Sequence, residues 1–156
     1  MIKINLICLG DIKETYLVLA INEYAKRIQR FATLNIIELK ENAPQKQTQQ
    51  DILNSLEKDA KEIEKYLKGY VICLDVAGKM ASSEELASKI STTSLNYSEI
   101  TFIIGASNGI SERIKAVCNE KISFSKMTFP HQLMRVIFLE QLYRAFTIIN
   151  HIAYHK

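Results

Sequence analysis

Two apolar runs limit what this chain can become more than anything else in it. Tyr70-Val-Ile-Cys-Leu-Asp-Val76 and Ile100-Thr-Phe-Ile-Ile104 are almost continuously apolar or β-branched, without the in-out alternation of a half-exposed strand. Such runs suit strands covered on both faces, the situation found in parallel sheets with helices on each side. The rest of the chain supplies partners for them. Ile2 to Leu9 reads as a first strand, ended by Gly10. Asp11-x-x-Glu14 has the form of a capping box, and Leu17, Ala20, Ile21, Tyr24, Ile28 and Phe31 follow at helical spacing. Leu34 to Leu39 is a short β-branched strand. Glu41 to Gln50 is polar, aperiodic and contains Pro44, which predicts an exposed, mobile loop.

The alternation continues to the end. Ile52, Leu56, Ala60, Ile63 and Leu67 form one face of a long helix that Gly69 can stop. Ser82-x-x-Glu85 opens another helix, to about Ile90, and Ser111 to about Cys118 is a short one. Ile122 to Phe124 reads as a last short strand. Pro130 fits the first turn of a final helix that reaches about Asn150. This order predicts one α/β domain over residues 1–156, with a largely parallel sheet flanked by helices.

At 47% hydrophobic and 24% charged, the composition is that of an ordinary globular protein. No apolar run approaches the ~18 residues of a membrane span. The N-terminus alternates like a strand and lacks a signal peptide's layout. Three cysteines, Cys8, Cys73 and Cys118, are an odd number without metal-ligand spacing. Cys8 and Cys73 lie in strand-like runs, so both read as reduced core residues of a cytoplasmic protein. A redox or metal role is the alternative, and no metal is expected.

Charge is concentrated at the end of the chain. Lys121 to Lys156 carries five bases against Glu140 alone, a balance of +4 within a total of +3, and it holds all three histidines. A near-neutral domain ending in a basic, histidine-bearing helix suggests a polyanionic partner.

Four segments carry candidate chemistry, each beside a plainer reading. Gly105-Ala-Ser-Asn-Gly109 follows a buried strand, and ligands of open α/β sheets bind outside the carboxyl ends of strands. It is neither a Walker loop nor a dinucleotide fingerprint, and an ordinary strand-to-helix turn is the plain reading. Leu74-Asp-Val-Ala-Gly-Lys79 also ends a strand, and reads equally as a connection with a solvated lysine. Phe124-Ser-Lys-Met-Thr-Phe129 mixes aromatics and a methionine with hydroxyls, so its apolar groups should be buried, against a core or around a ligand such as an adenine ring. The final helix shows Leu133, Val136, Ile137, Leu142, Tyr143, Phe146 and Ile149, which is more apolar surface than one outer helix stripe needs. A homodimer contact or a central position in the core would bury it. Arg135 and Arg144 point to different sides of this helix. Either is a candidate for phosphate, or simply an ion-paired residue.

Ser123-Phe-Ser-Lys-Met-Thr-Phe-Pro-His131, Arg135, Glu140-Gln-Leu-Tyr-Arg-Ala145 and the terminal Tyr154-His155-Lys156 together resemble the ribosomal RNA large subunit methyltransferase H family. The likeness continues through Leu74 to Lys79 and Ile104 to Gly109, and spans the chain. These are SPOUT-class enzymes that methylate N3 of a pseudouridine in 23S rRNA, on the ribosome, using S-adenosyl-L-methionine. The resemblance implies a C-terminal trefoil knot, which the usual connection rules would exclude. It implies a homodimer with each site completed across the interface. It assigns cofactor binding to Leu74, Gly105, Phe124, Ser125, Lys126, Met127, Thr128 and Phe129. It makes His155 the first candidate for proton handling or base contact, with Arg144 as the substrate-site cation. Ala106 stands where the family has a second glycine, and Asn150-His151 where it often has glycine, so the path into the terminus is expected to differ. The rivals are a non-catalytic ribosome-associated RNA-binding protein on the same scaffold, and an adenine-nucleotide-binding α/β protein.

Overall fold

Five strands form one sheet, and every pairing in it is parallel. The computed structural model describes residues 1–156. In chain order the elements are β1 (Lys3–Leu9), α1 (Thr15–Ile28), β2 (Thr33–Leu39), α2 (Gln49–Glu64), β3 (Tyr70–Met80), α3 (Ser83–Thr93), β4 (Glu99–Ile104), α4 (Glu112–Val117), β5 (Glu120–Ser123) and α5 (His131–Ile149). The strand order is β2-β1-β4-β3-β5. The two apolar runs read from the sequence become the inner strands β3 and β4. Each strand sends alternate side chains to opposite faces. Leu6, Ile72 and Phe102 join the larger core cluster with residues of α1, α3 and α5. Ile7, Val71 and Ile103 join a smaller one with residues of α2 and α4.

Local chemistry explains most of the boundaries. Ser82 caps α3 in a complete capping box with Glu85. Thr48 caps α2 and Ser111 caps α4 through their hydroxyls. Gly69 turns the chain into β3 at φ +63°, and a Cβ there would sit 2.0 Å from the Glu99 carbonyl oxygen. Asp11 and Glu14 do not form the expected box. The helix begins at Thr15 behind Glu14, which makes no side-chain cap, because Gly10 to Glu14 is used as a connecting loop. The 41–50 loop is anchored at one end. The buried Asp59 carboxylate accepts from the Asn42 backbone at 3.0 Å and from its side-chain amide at 2.9 Å.

The cysteines split. Cys8 is buried and free, and burial pushes its thiol up to about 12, so it stays protonated and inert. Cys73 is not the lone reduced thiol expected. Its sulfur lies against that of Cys118, 45 residues on, with Cα atoms 6.4 Å apart. The Asn119 side chain and backbone both hydrogen-bond the Val71 backbone at 2.8 Å, and that contact brings the two sulfurs together.

Arg135 takes the plainer of its two readings, an ion-paired residue. It is 2% exposed and therefore no phosphate ligand. It donates to Glu38 at 2.6 Å and to the Gly10 carbonyl at 3.0 Å, fastening the start of α5 to the ends of β1 and β2. Its Nε has no partner. No helix is long and apolar enough to cross a membrane.

Candidate functional site

β3 is interrupted where the site forms. Leu74 pairs with Ile122 of β5, and so does Lys79, so residues 75–78 arch away from the sheet between them. Gly78 is required at the foot of this arch, because a Cβ there would lie 2.7 Å from the Lys121 carbonyl carbon. β4 ends at Ile104, and Gly105 begins a tight turn closed by an Ala106–Gly109 bridge. A Cβ on Gly105 would meet Gly109 carbon and oxygen at 2.7 Å. After β5 the chain passes through Phe124–Pro130 into α5. The Ser123 hydroxyl donates to the Ser125 carbonyl at 2.8 Å, and the Ser125 hydroxyl accepts from the Met127 backbone at 2.9 Å.

These three segments and the start of α5 line a cavity of about 200 Å³ at the carboxyl ends of β3, β4 and β5. It occupies the position where parallel α/β sheets bind ligands. Of the eight residues assigned to cofactor binding, seven line it: Leu74, Gly105, Phe124, Ser125, Met127, Thr128 and Phe129. Lys126 is exposed and does not. Phe124 stacks on Phe138 with centroids 6.2 Å apart, which fixes one wall to the core. Met127 remains 73% exposed, against the expectation that the apolar groups of this loop are covered. His131 and Met134 line the cavity as well. The place of His131 beside Pro130 at the helix entry was a usable signal for this position.

His155 and Arg144 lie elsewhere. From Met134, the last cavity residue on α5, Arg144 is ten positions on, about 15 Å along the axis. The chain leaves α5 through His151 at φ +54°, the single non-glycine residue in the left-handed region. It then folds back. The Glu140 carboxylate accepts from Arg144 NH2 at 2.6 Å, Arg144 Nε at 3.1 Å and the Tyr154 hydroxyl at 3.0 Å. The Arg144 guanidinium covers the Tyr154 ring at 4.7 Å, and Tyr143 meets that ring edge-on at 4.8 Å. His155 Nε2 is 2.7 Å from Glu84 and its Nδ1 is 3.3 Å from Arg144 NH1. A guanidinium only donates, so Nδ1 accepts there, and Nε2–H donates to Glu84. Glu84 was not singled out in the sequence, where acids on helices look like solvated surface, and Glu140 stood out there only as the lone acid of the segment and part of the Glu140–Ala145 motif, without this organising role.

Three ionisations follow. The hydrogen bond to Glu140 raises Arg144 further above its usual range. Glu84 is held low, first by its own backbone hydrogen bond and then by His155. Burial, then the bond to Glu140, pushes the Tyr154 phenol up to about 12. A raised phenol stabilises the docked tail fully below its ordinary pH of 10, and that contribution is lost as pH climbs through 12. Tyr154→Phe is therefore expected to remove a late step from the alkaline tyrosinate absorbance titration. Loss of amplitude near pH 10, with the late step intact, would show that the phenol is not held this way.

The charge surplus of the C-terminal segment is smaller than its sequence suggests. Arg135 is buried on Glu38 and Arg144 is satisfied by Glu140. Lys121, Lys126 and Lys156 remain as its exposed cations.

Fold and site together define an α/β protein with a partly apolar cavity across the carboxyl ends of parallel strands. A family model described as "Predicted SPOUT methyltransferase" matches residues 2–155, and the chain belongs to that family of enzymes. It is 50% identical to the ribosomal RNA large subunit methyltransferase H of Clostridium novyi (strain NT) over 158 aligned residues, covering 99% of each chain. It is 47% identical to the protein of that name from Clostridium acetobutylicum, again over 99% of each. A probable methylase family protein from Haemophilus influenzae Rd KW20 has the same fold at a TM-score of 0.55 and 13% identity, covering all of this chain and 72% of that one.

Proposed function

We propose that this protein methylates N3 of a pseudouridine in 23S rRNA on the assembled ribosome, in the cytoplasm, as a homodimer whose sites are each built from two copies. Large-subunit rRNA is the substrate class named for relatives at 50% and 47% identity. Bound S-adenosyl-L-methionine supplies an electrophilic sulfonium methyl. The cavity fits that donor: Phe124 and Phe129 offer apolar walls, and Ser107, Ser125 and Thr128 offer neutral polar edges beside the backbone of the Gly105 turn. The proposal includes the trefoil knot. It is supported by the 75–78 arch and by the 124–129 segment lining one cavity with residues 104–110.

One observation carries the dimer: the two halves of the expected site stand apart within a single chain. Arg144 and His155 are assembled about 15 Å along α5 from the cavity. Exposed Tyr16, Leu19 and Leu133 and the half-buried Val136, Ile137 and Tyr143 supply apolar surface on α1 and α5. Joining two copies there brings each tail to the partner's cavity and covers that surface. The residues then divide the work. The cavity orients the methyl group. Arg144 favours the anionic form of the imide, and His155 contacts the base or takes its N3 proton.

The test mixes two inactive variants, Gly105→Ala with a defective cavity and His155→Ala with a defective tail. Unfolding and refolding them together makes half the dimers mixed, each with one intact site. Methyl transfer to ribosomes lacking the modification should then recover to about a quarter of wild type. No recovery would place both halves of each site in one chain.

A further inference from the structure

Two residues of the cavity carry formal charge, and they face each other. Lys115, on α4, places Nζ 3.1 Å from Asp75 Oδ2, in the arch of β3. Their side chains are only 18% and 16% exposed. The other oxygen of Asp75 accepts from the Ala77 backbone at 3.2 Å, so the carboxylate is fixed within the arch. Lys115 also reaches Glu112 at 3.5 Å, but that side chain is 90% exposed and lies outside the cavity. Desolvation, the largest single influence on Lys115, lowers it, but the hydrogen bonds and charges of Asp75 and Glu112 together raise it above its ordinary value and hold it charged. Apart from His131, the remaining lining is apolar or neutral.

A largely desolvated ion pair is a poor way to stabilise a fold, since apolar side chains of similar volume do as well or better. In the wall of a cavity it offers a ligand one positive and one negative group a few ångströms apart. A sulfonium donor built on methionine has the matching polarity at one end, an α-ammonium and an α-carboxylate on the same carbon. Signs fix the order. Lys115 repels the sulfonium and the ammonium, so it is suited to the carboxylate. Asp75 is suited to the ammonium.

Taking the cavity as the donor site proposed above, we propose that Asp75 and Lys115 recognise the amino-acid end of the donor. They thereby separate it from nucleosides that lack that end. The adenosine portion is left to the Gly105 turn and the Phe124–Phe129 segment.

Calorimetry on the full-length protein tests this with two thioethers, S-adenosylhomocysteine and 5′-methylthioadenosine, which share the nucleoside and differ in the amino-acid end. Lys115→Met keeps the aliphatic stem, and Asp75→Asn keeps the acceptor for Ala77. Each is expected to weaken S-adenosylhomocysteine binding on the order of tenfold or more, and 5′-methylthioadenosine binding by less than about twofold. Equal losses for both ligands, or no loss for either, would overturn this assignment and leave the donor cavity standing. Wild-type protein that binds neither ligand would overturn the cavity reading, and this assignment with it.

Discussion

Replacing His155 with alanine is expected to lower kcat on modification-free ribosomes by ~10²–10⁴-fold, the usual range for a lost acid–base or base-contacting group. The Kd for S-adenosylmethionine should stay within about twofold. The asymmetry comes from the structure: His155 sits with Arg144 and Glu84, and no residue of that cluster lines the cavity. Glu84 and Arg144 fix the ring, so the alanine variant loses the imidazole without disturbing the seven cavity residues. Parallel losses in kcat and donor affinity would be incompatible with this role, and would make the tail part of the donor's own binding surface.

Gly105→Ala should produce the opposite pattern. An added Cβ lies 2.7 Å from backbone atoms of Gly109 and 2.8 Å from the Ile110 side chain. Backbone cannot rotate away as a long side chain can, so the turn must open. The cost should be about 1–3 kcal/mol of stability, with donor affinity reduced at least ~10-fold because the turn lines the cavity. Thermal unfolding and calorimetry check the two effects separately. A variant of full stability with normal donor affinity would show that the turn absorbs the methyl group and does not shape the site. Ala106, the next residue, also lines the cavity and packs against the smaller core cluster.

Much of this architecture could be read from local chemistry. Continuous apolar runs become inner strands because two helical layers cover them, and Ser82 with Glu85 caps a helix as its spacing predicts. What escaped was long-range. Nothing near Leu74 announces that β3 breaks and resumes at Lys79, since that depends on where β5 docks. The choice between the phosphate and ion-pair readings of Arg135 rested on Gly10 and Glu38, its partners more than 90 residues earlier. Cys73 and Cys118 were read apart for the same reason. For the site, the Gly105 turn and the 124–129 segment stood out by composition. Lys115 did not, because a lysine on a short helix resembles surface until the arch of β3 comes to meet it. Tyr154 and His155 would by pattern alone be a frayed end, and Glu140 is what holds them in place.

The all-parallel sheet has a consequence for how the chain acquires its shape. No ladder in it joins residues fewer than 30 apart, and the β1–β4 ladder joins residues 96 apart. There is no hairpin from which zippering can start. A nascent chain leaving its own translation machinery must therefore hold β1 unsatisfied on one edge until roughly two thirds of synthesis is complete. Closure is governed by loop entropy, which places spontaneous refolding toward the slow end for a protein of this size.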